Sequence, residues 1–253
     1  MTRFFVTTGT SVLESARCWK QRDKAYDGIG SIRDVLLEDP RDEAKLDSFV
    51  KDIQIRNDIL AKMNGLRDAD KDEDADQYEV PARKVLEKRF DLSCWAPDKI
   101  GLLSAELSTL HQMHVNGVIS PDSTVQFLGG RTNAQAAWLV TEMMRAINSE
   151  WKLGYAIEGP QELYDWEPHP GDFYFALSGM AAGIERLNGN HDLHLVLTGG
   201  YKGVLLELVI QFVSRLRVAR KNMVIYYLAE NNGQLIDLRL NHAAAEPGDG
   251  NTK

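Results

Sequence analysis

The chain has 253 residues, a formal net charge of −8 and 43% hydrophobic residues. That length fits one large α/β domain or one such domain with an insertion. The negative charge argues against a surface that grips long nucleic acid, which usually needs a basic face, but it leaves room for a small anion in a local pocket.

The first predicted strand covers residues 3–7 and ends at Thr8-Gly9-Thr10-Ser11, after which a helix is expected over residues 11–22. From residue 31 to about residue 92, charges are dense and apolar residues recur at helical spacing, which predicts a charged helical insertion. The acidic run at 67–77 lacks the ligand spacing of an EF-hand. We therefore expect a solvated loop there and not a calcium site.

Helical and strand patterns alternate through the rest of the chain, which predicts an α/β fold with a doubly wound, mainly parallel sheet. A final hairpin adds an antiparallel C-terminal edge strand. We expect one domain over residues 1–242 and a disordered tail over 243–253. The predicted elements are helices at 100–113, 134–147, 173–187 and 203–220, strands at 123–128, 155–157, 194–197, 223–228 and 234–240, and a Pro-rich loop at 159–171.

No apolar run approaches membrane-spanning length, and no secretory signal is visible at the N-terminus. Cys18 and Cys94 lie far apart and match no metal-binding spacing, which fits reduced thiols. These features predict a cytoplasmic protein that does not insert into a membrane.

Three of the predicted strands end in turns that are rich in glycine and polar side chains. In a parallel sheet such turns share the edge formed by the carboxyl ends of the strands, where ligands bind. Glycines let a ligand approach the backbone, and helix N-termini favour anions, so this edge predicts a ligand with phosphate and ribose groups. The candidate binding residues are Thr8, Gly9, Thr10 and Ser11 in the first turn, Gly129, Gly130, Arg131, Thr132, Asn133 and Gln135 in the second, and Thr198, Gly199, Gly200, Tyr201 and Lys202 in the third.

Each turn also has a structural interpretation. Glycine pairs such as Gly129-Gly130 serve many turns for geometry alone. Thr10 or Ser11 could simply cap the following helix, and Arg131 could be an ordinary surface cation. Lys202 could likewise be solvated, although the helix dipole disfavours a cation at a helix N-terminus, which is easier to understand if an anion binds beside it.

Known catalytic and cofactor patterns are missing from the sequence. It contains no Gly-x-Gly-x-x-Gly after the first strand, no phosphate-binding loop ending in Gly-Lys-Ser/Thr, and no Gly-x-Ser-x-Gly. His111 and His114 share a helix face, but no carboxylate or cysteine completes a metal site, and His194 is expected to be structural. We therefore expect neither a cofactor nor a metal.

Two of the turns together have a family resemblance. They are Gly9-Thr10-Ser11-Val12-Leu13 near the start and Thr198-Gly199-Gly200-Tyr201-Lys202 late in the chain. This pair resembles the CRISPR-associated Rossmann-fold (CARF) family, in which the first strand ends in a Gly-Thr-Ser-Leu-Leu-like turn and the fourth in a Thr-Gly-Gly-Phe-Lys-like turn. Val12 and Tyr201 are mild departures. The resemblance covers residues 1–22 and 93–240, leaves out the insertion, and implies a Rossmann-like sheet.

The resemblance also implies a function. It predicts a homodimer that binds a cyclic oligoadenylate, expected to be cyclic tetra-adenylate, the second messenger of type III CRISPR antiviral defence. With no effector domain recognised after residue 240, the chain most resembles a stand-alone ring nuclease. Ser11 and Lys202 would then be catalytic in a metal-independent cleavage, and the other candidate residues would bind ligand. Two alternatives stay open: a sensor without catalysis that signals to a partner, and a messenger-activated nuclease whose active site lies in the insertion.

Overall fold

The structure is a computed structural model, and it describes residues 2–13, 43–69, 71–92, 104–129, 134–162, 173–189, 191–198, 209–212, 222–228 and 234–240. These residues form a single six-stranded sheet with helices. The strands are β1 (Arg3–Thr7), β2 (Thr124–Gly129), β3 (Ala156–Glu162), β4 (Leu193–Val196), β5 (Met223–Leu228) and β6 (Leu235–Leu240). The helices are α1 (Glu43–Asp68), α2 (Asp72–Leu86), α3 (Ala105–Val115), α4 (Ala134–Glu150) and α5 (Phe173–Asn188).

The strand order across the sheet is β3-β2-β1-β4-β5-β6. The first five strands pair in parallel, and β6 pairs antiparallel with β5, so the predicted Rossmann-like fold class is confirmed. In chain order, β1, β2 and β3 follow one another toward one edge of the sheet, whereas β4, β5 and β6 follow one another toward the other edge. The point between β1 and β4 is therefore the topological switch point, outside which ligands bind in open α/β sheets.

Alternation along β1 divides the core between the two faces of the sheet. Phe4 and Val6 join an apolar cluster with helices α1, α3 and α4, whereas Phe5 joins a second cluster with α5 and the helical residues 209–212. Because β1 is covered on both faces, its side chains from Phe4 to Thr7 are all buried. This burial holds the turn that follows β1 in a fixed place at the carboxyl edge.

Two long helices, α1 and α2, account for the described part of the predicted insertion. They pack against each other, and α1 also packs against α4. The predicted loop at 67–77 is wrong over most of its length, because α1 continues to Asp68 and α2 begins at Asp72, which leaves only residues 69–71 between them. Its charged side chains suit the exposed faces of two helices as well as a loop, and composition alone does not separate the two.

The sheet edge at β3 also differs from the prediction. The strand begins at Ala156, one residue after its predicted start, and continues through Gly159 and Pro160 to Glu162, where a loop was predicted. β3 is an edge strand, and its register with β2 shifts between Gln126 and Leu128. An edge position and a register irregularity both tolerate a proline that cannot donate a ladder hydrogen bond.

The other predicted elements agree with the structure to within a few residues wherever it describes them. The predicted helix at 203–220 is described only at 209–212, where it is helical. Several predicted segments lie outside the described residues. They are the rest of the helix predicted at 203–220, the helix residues 14–22, the start of the insertion at 31–42, and the tail at 243–253. Among the helices that the structure describes, none is long and apolar enough to cross a bilayer.

Arg56 is a residue of α1 whose charged side chain is fully buried within the helical insertion. Its guanidinium donates to the carbonyl oxygens of Leu86, at 2.9 Å, and Lys88, and it stacks over the Phe90 ring at 4.1 Å from the centroid. An Asp52 carboxylate oxygen lies 3.2 Å from its Nε. One side chain therefore joins α1 to the end of α2 and to the segment that leads back to the domain.

Replacing Arg56 by alanine should lower the free energy of unfolding by about 3 kcal/mol, because the buried guanidinium leaves a void and two backbone carbonyls and Asp52 lose their partner. Urea denaturation would measure the loss. Arg83→Ala is the control, since its ion pair with Glu87 is exposed, and it should change stability by less than about 0.5 kcal/mol. Equal losses in the two variants would contradict this role for Arg56.

Candidate functional site

The carboxyl ends of β1 and β4 are bonded directly to each other at the switch point. The Thr198 hydroxyl donates to the Thr7 carbonyl oxygen at 2.5 Å, and the Thr198 N–H donates to Thr7 Oγ1 at 3.3 Å. Thr7 Oγ1 in turn donates to the Val196 carbonyl at 3.2 Å. These hydrogen bonds hold the ends of β1 and β4 together at the point where the first and third predicted turns begin.

The second turn begins beside the first. Strand β2 pairs in parallel with β1, with Thr7 opposite Leu128, and the Thr8 N–H continues the ladder to the Leu128 carbonyl at 3.0 Å. Gly129 is the last residue of β2. The described starts of all three turns therefore lie side by side at one edge of the sheet, as the parallel arrangement predicts.

Glu106 is the main polar contact of the first turn. Its side chain is fully buried in the first turn of α3, and its carboxylate accepts from the Gly9 N–H at 2.7 Å, from the Ser11 hydroxyl at 2.9 Å and from the Ser104 hydroxyl. A carboxylate near a helix N-terminus is also favoured by the helix dipole. Glu106 therefore holds the Gly9–Ser11 turn against α3.

Ser11 has two partners in this arrangement. Besides donating to Glu106, its Oγ accepts from the N–H of Ala105, the first residue of α3, at 3.1 Å. Ser11 thus caps α3, a helix far from it in sequence. One oxygen lone pair remains for a ligand hydroxyl, whereas donation to a ligand phosphate requires the Glu106 bond to exchange.

Sequence reasoning missed Glu106, although the sequence holds a signal for it. Ser104 is the N-cap of α3 and accepts from the Leu107 N–H, which is typical of a helix start. Glu106 then precedes the buried Leu110 and Met113 by four and seven residues, so it lies on the apolar face. A carboxylate on a buried stripe needs polar partners, and the turn after β1 supplies them.

Gln135 lies in the first turn of α4 and lines a pocket of about 190 Å³ with Gly129. Leu60 and Asn64 of α1 also line this pocket. The insertion, which was predicted without a defined position, therefore reaches the same edge of the sheet as the glycine-rich turns. No feature of the sequence alone indicates this contact.

The remaining predicted site residues lie outside the described part of the chain. Their assignment as ligand-binding or catalytic stays a prediction that rests on the sequence. They are Gly130, Arg131, Thr132, Asn133, Gly199, Gly200, Tyr201 and Lys202.

His194 and His114 are polar ring side chains, and their ring contacts lie outside the three turns. His194 packs against Phe4 and stacks on Tyr226, as expected for a structural residue, and burial lowers its pKa, with a smaller contribution from Arg239 opposed by Asp192. His114 contacts the Tyr155 hydroxyl through Nδ1 at 2.5 Å. Within the described ranges no group of three or more His, Cys, Asp or Glu side chains could hold a metal ion.

No protein-family model and no curated protein sequence matches this chain.

Glu106→Gln should lower the free energy of unfolding by about 1–3 kcal/mol, because an amide cannot accept from all of the donors that meet the carboxylate. Chemical denaturation would measure this loss. Glu150→Gln makes the same chemical change at an exposed ion pair and should cost less than about 0.5 kcal/mol. A neutral Glu106→Gln substitution would show that the carboxylate does not hold the turn.

Proposed function

We propose that this chain is a metal-independent ring nuclease that binds and cleaves a cyclic oligoadenylate, with cyclic tetra-adenylate as its expected substrate, in type III CRISPR defence. The observation that carries the proposal is the direct bonding of Thr7 to Thr198 at the switch point. It brings together the beginnings of the two motifs on which the CARF resemblance rests. An edge of this kind is the usual ligand site of a doubly wound sheet.

The chemistry suits the residue types of the two motifs. A ribose 2′-oxygen attacks the adjacent phosphorus and forms a new P–O2′ bond, while the P–O5′ bond breaks and its electron pair leaves on O5′. The 2′-hydroxyl proton passes to solvent or a nearby base, and O5′ takes up a proton, which leaves a 2′,3′-cyclic phosphate. The protein must hold the attacking and leaving oxygens in line and stabilise the phosphorane charge.

Lys202 and Ser11 have separate roles in this proposal. Lys202 neutralises the scissile phosphate or protonates the leaving 5′-oxygen. Ser11 orients the attacking ribose hydroxyl through its remaining lone pair, because its proton is donated to Glu106. The ring has its own two-fold symmetry, so a homodimer would present each motif twice to one ligand.

A sensor that binds the ring without cutting it is the second candidate. The engagement of Ser11 by Glu106 and by the Ala105 N–H favours it, because a hydroxyl with both partners fixed suits a structural role in the turn. Tight binding of the ring without product would distinguish a sensor from a nuclease.

Purified protein incubated with labelled cyclic tetra-adenylate in EDTA should yield linear products ending in 2′,3′-cyclic phosphate. Lys202→Ala should lower kcat by about 10²–10³-fold, the usual effect of removing one group that stabilises transition-state charge. Lys84→Ala, an exposed lysine of α2, should leave kcat unchanged. An intact ring after long incubation with excess wild-type enzyme would reject the nuclease.

The same assay separates chemistry from folding at Ser11. Ser11→Ala and Ser104→Ala each remove one hydroxyl that donates to Glu106. Only the Ser11 variant should have a kcat that is reduced by more than its loss of folding stability explains. Equal effects on kcat and stability in the two variants would assign Ser11 a purely structural role.

A further inference from the structure

We infer that the pocket between α1 and α4 binds one nucleobase of the ligand, so that the helical insertion forms part of the ligand site. This inference rests on the proposed function and deepens it. The pocket is lined by Leu60 and Asn64 of α1, by Gln135 and Trp138 of α4, and by Gly129 and Pro160 at the ends of β2 and β3.

The size of the pocket suits a single aromatic base. Its volume is about 190 Å³. Sites for drug-sized ligands usually hold about 300–1,000 Å³, whereas a cavity of roughly 150 Å³ admits a benzene ring. A whole nucleotide would therefore not fit inside, and its sugar and phosphate would have to lie outside the pocket.

The lining chemistry points to a neutral, flat group with hydrogen-bonding edges. Among the described residues that line the pocket, none carries a charge. Asn64 and Gln135 are half-buried, and each amide offers both a donor and an acceptor. Asn and Gln pair with the N6 and N7 edge of adenine, and an indole such as that of Trp138 provides a face on which a base can stack.

The position of the pocket relates it to the switch point. Gly129 ends the strand next to β1, and adjacent strands lie about 4.8 Å apart. A base over the end of β2 would therefore be close to a phosphate over the ends of β1 and β4. Doubly wound folds that bind dinucleotides use the same division, with phosphate at the first turn and the nucleoside toward the next strand.

The irregular pairing of β3 contributes to the pocket. The register with β2 shifts between Gln126 and Leu128, and the pairing of Glu158 and then Gln161 places Gly159 and Pro160 in the shifted stretch. Pro160 contributes an apolar surface to the pocket and has no backbone N–H of its own. The irregular stretch of β3, which the sequence pattern predicted as a loop, therefore helps to form the pocket.

The test is the dissociation constant of cyclic tetra-adenylate, measured by isothermal titration calorimetry for the wild type, Asn64→Ala and Asp58→Ala. Asp58 is exposed on the same helix and does not line the pocket. Asn64→Ala should weaken binding about 10-fold, within the range for loss of a base-reading contact, and Asp58→Ala should leave it unchanged. Thermal melts would establish that both variants fold.

Two different failures are distinguishable. If the wild type binds the ring and Asn64→Ala binds it equally well, the base pocket is wrong and the proposed function stands. If the wild type binds no ring, the proposed function fails, and free adenosine then decides the pocket. The readout is the NMR signal of the Trp138 indole, assigned by its loss in Trp138→Phe. A shift of this signal on adding adenosine, abolished in Asn64→Ala, would support the pocket. No shift at millimolar adenosine would overturn it.

Discussion

The buried carboxylate of Glu106 is the interaction on which the candidate site depends. Taking a carboxylate out of water is costly, and the cost is offset here by the Gly9 N–H and by the hydroxyls of Ser11 and Ser104. The contact links the turn after β1 to the start of α3, two parts of the chain far apart in sequence. The position of the Ser11 side chain at the carboxyl edge of the sheet follows from this link.

The same contact shapes what a ligand meets at that edge. The backbone N–H of Gly9 and the hydroxyl of Ser11, which otherwise suit a phosphate, already donate to an internal anion. An incoming phosphate must therefore rely on the neighbouring turns, or the Glu106 bonds must exchange. The bonded pair Thr7 and Thr198 keeps the first and third turns adjacent in either case.

Local patterning was sufficient for the fold but not for the contacts between distant segments. Buried parallel strands and amphipathic helices have distinct periodicities, and the hairpin strands at 223–228 and 235–240 were placed almost residue for residue. The charged run at 67–77 and the proline in β3 were misjudged, because helix faces and edge strands tolerate residues that also favour loops. The partners of Glu106 in the turn after β1, and the place of Asn64 in the pocket beside α4, depend on tertiary packing, which local patterns do not encode.

Hydrogen–deuterium exchange with and without saturating cyclic tetra-adenylate tests the central claim most directly, because it reports where the ring binds whether or not it is cut. We expect slower exchange of backbone amides at residues 8–13, 129–138 and 198–203, the segments at the carboxyl ends of β1, β2 and β4. Unchanged exchange in these segments, or protection confined to other parts of the chain, would contradict a cyclic oligoadenylate site at the switch point.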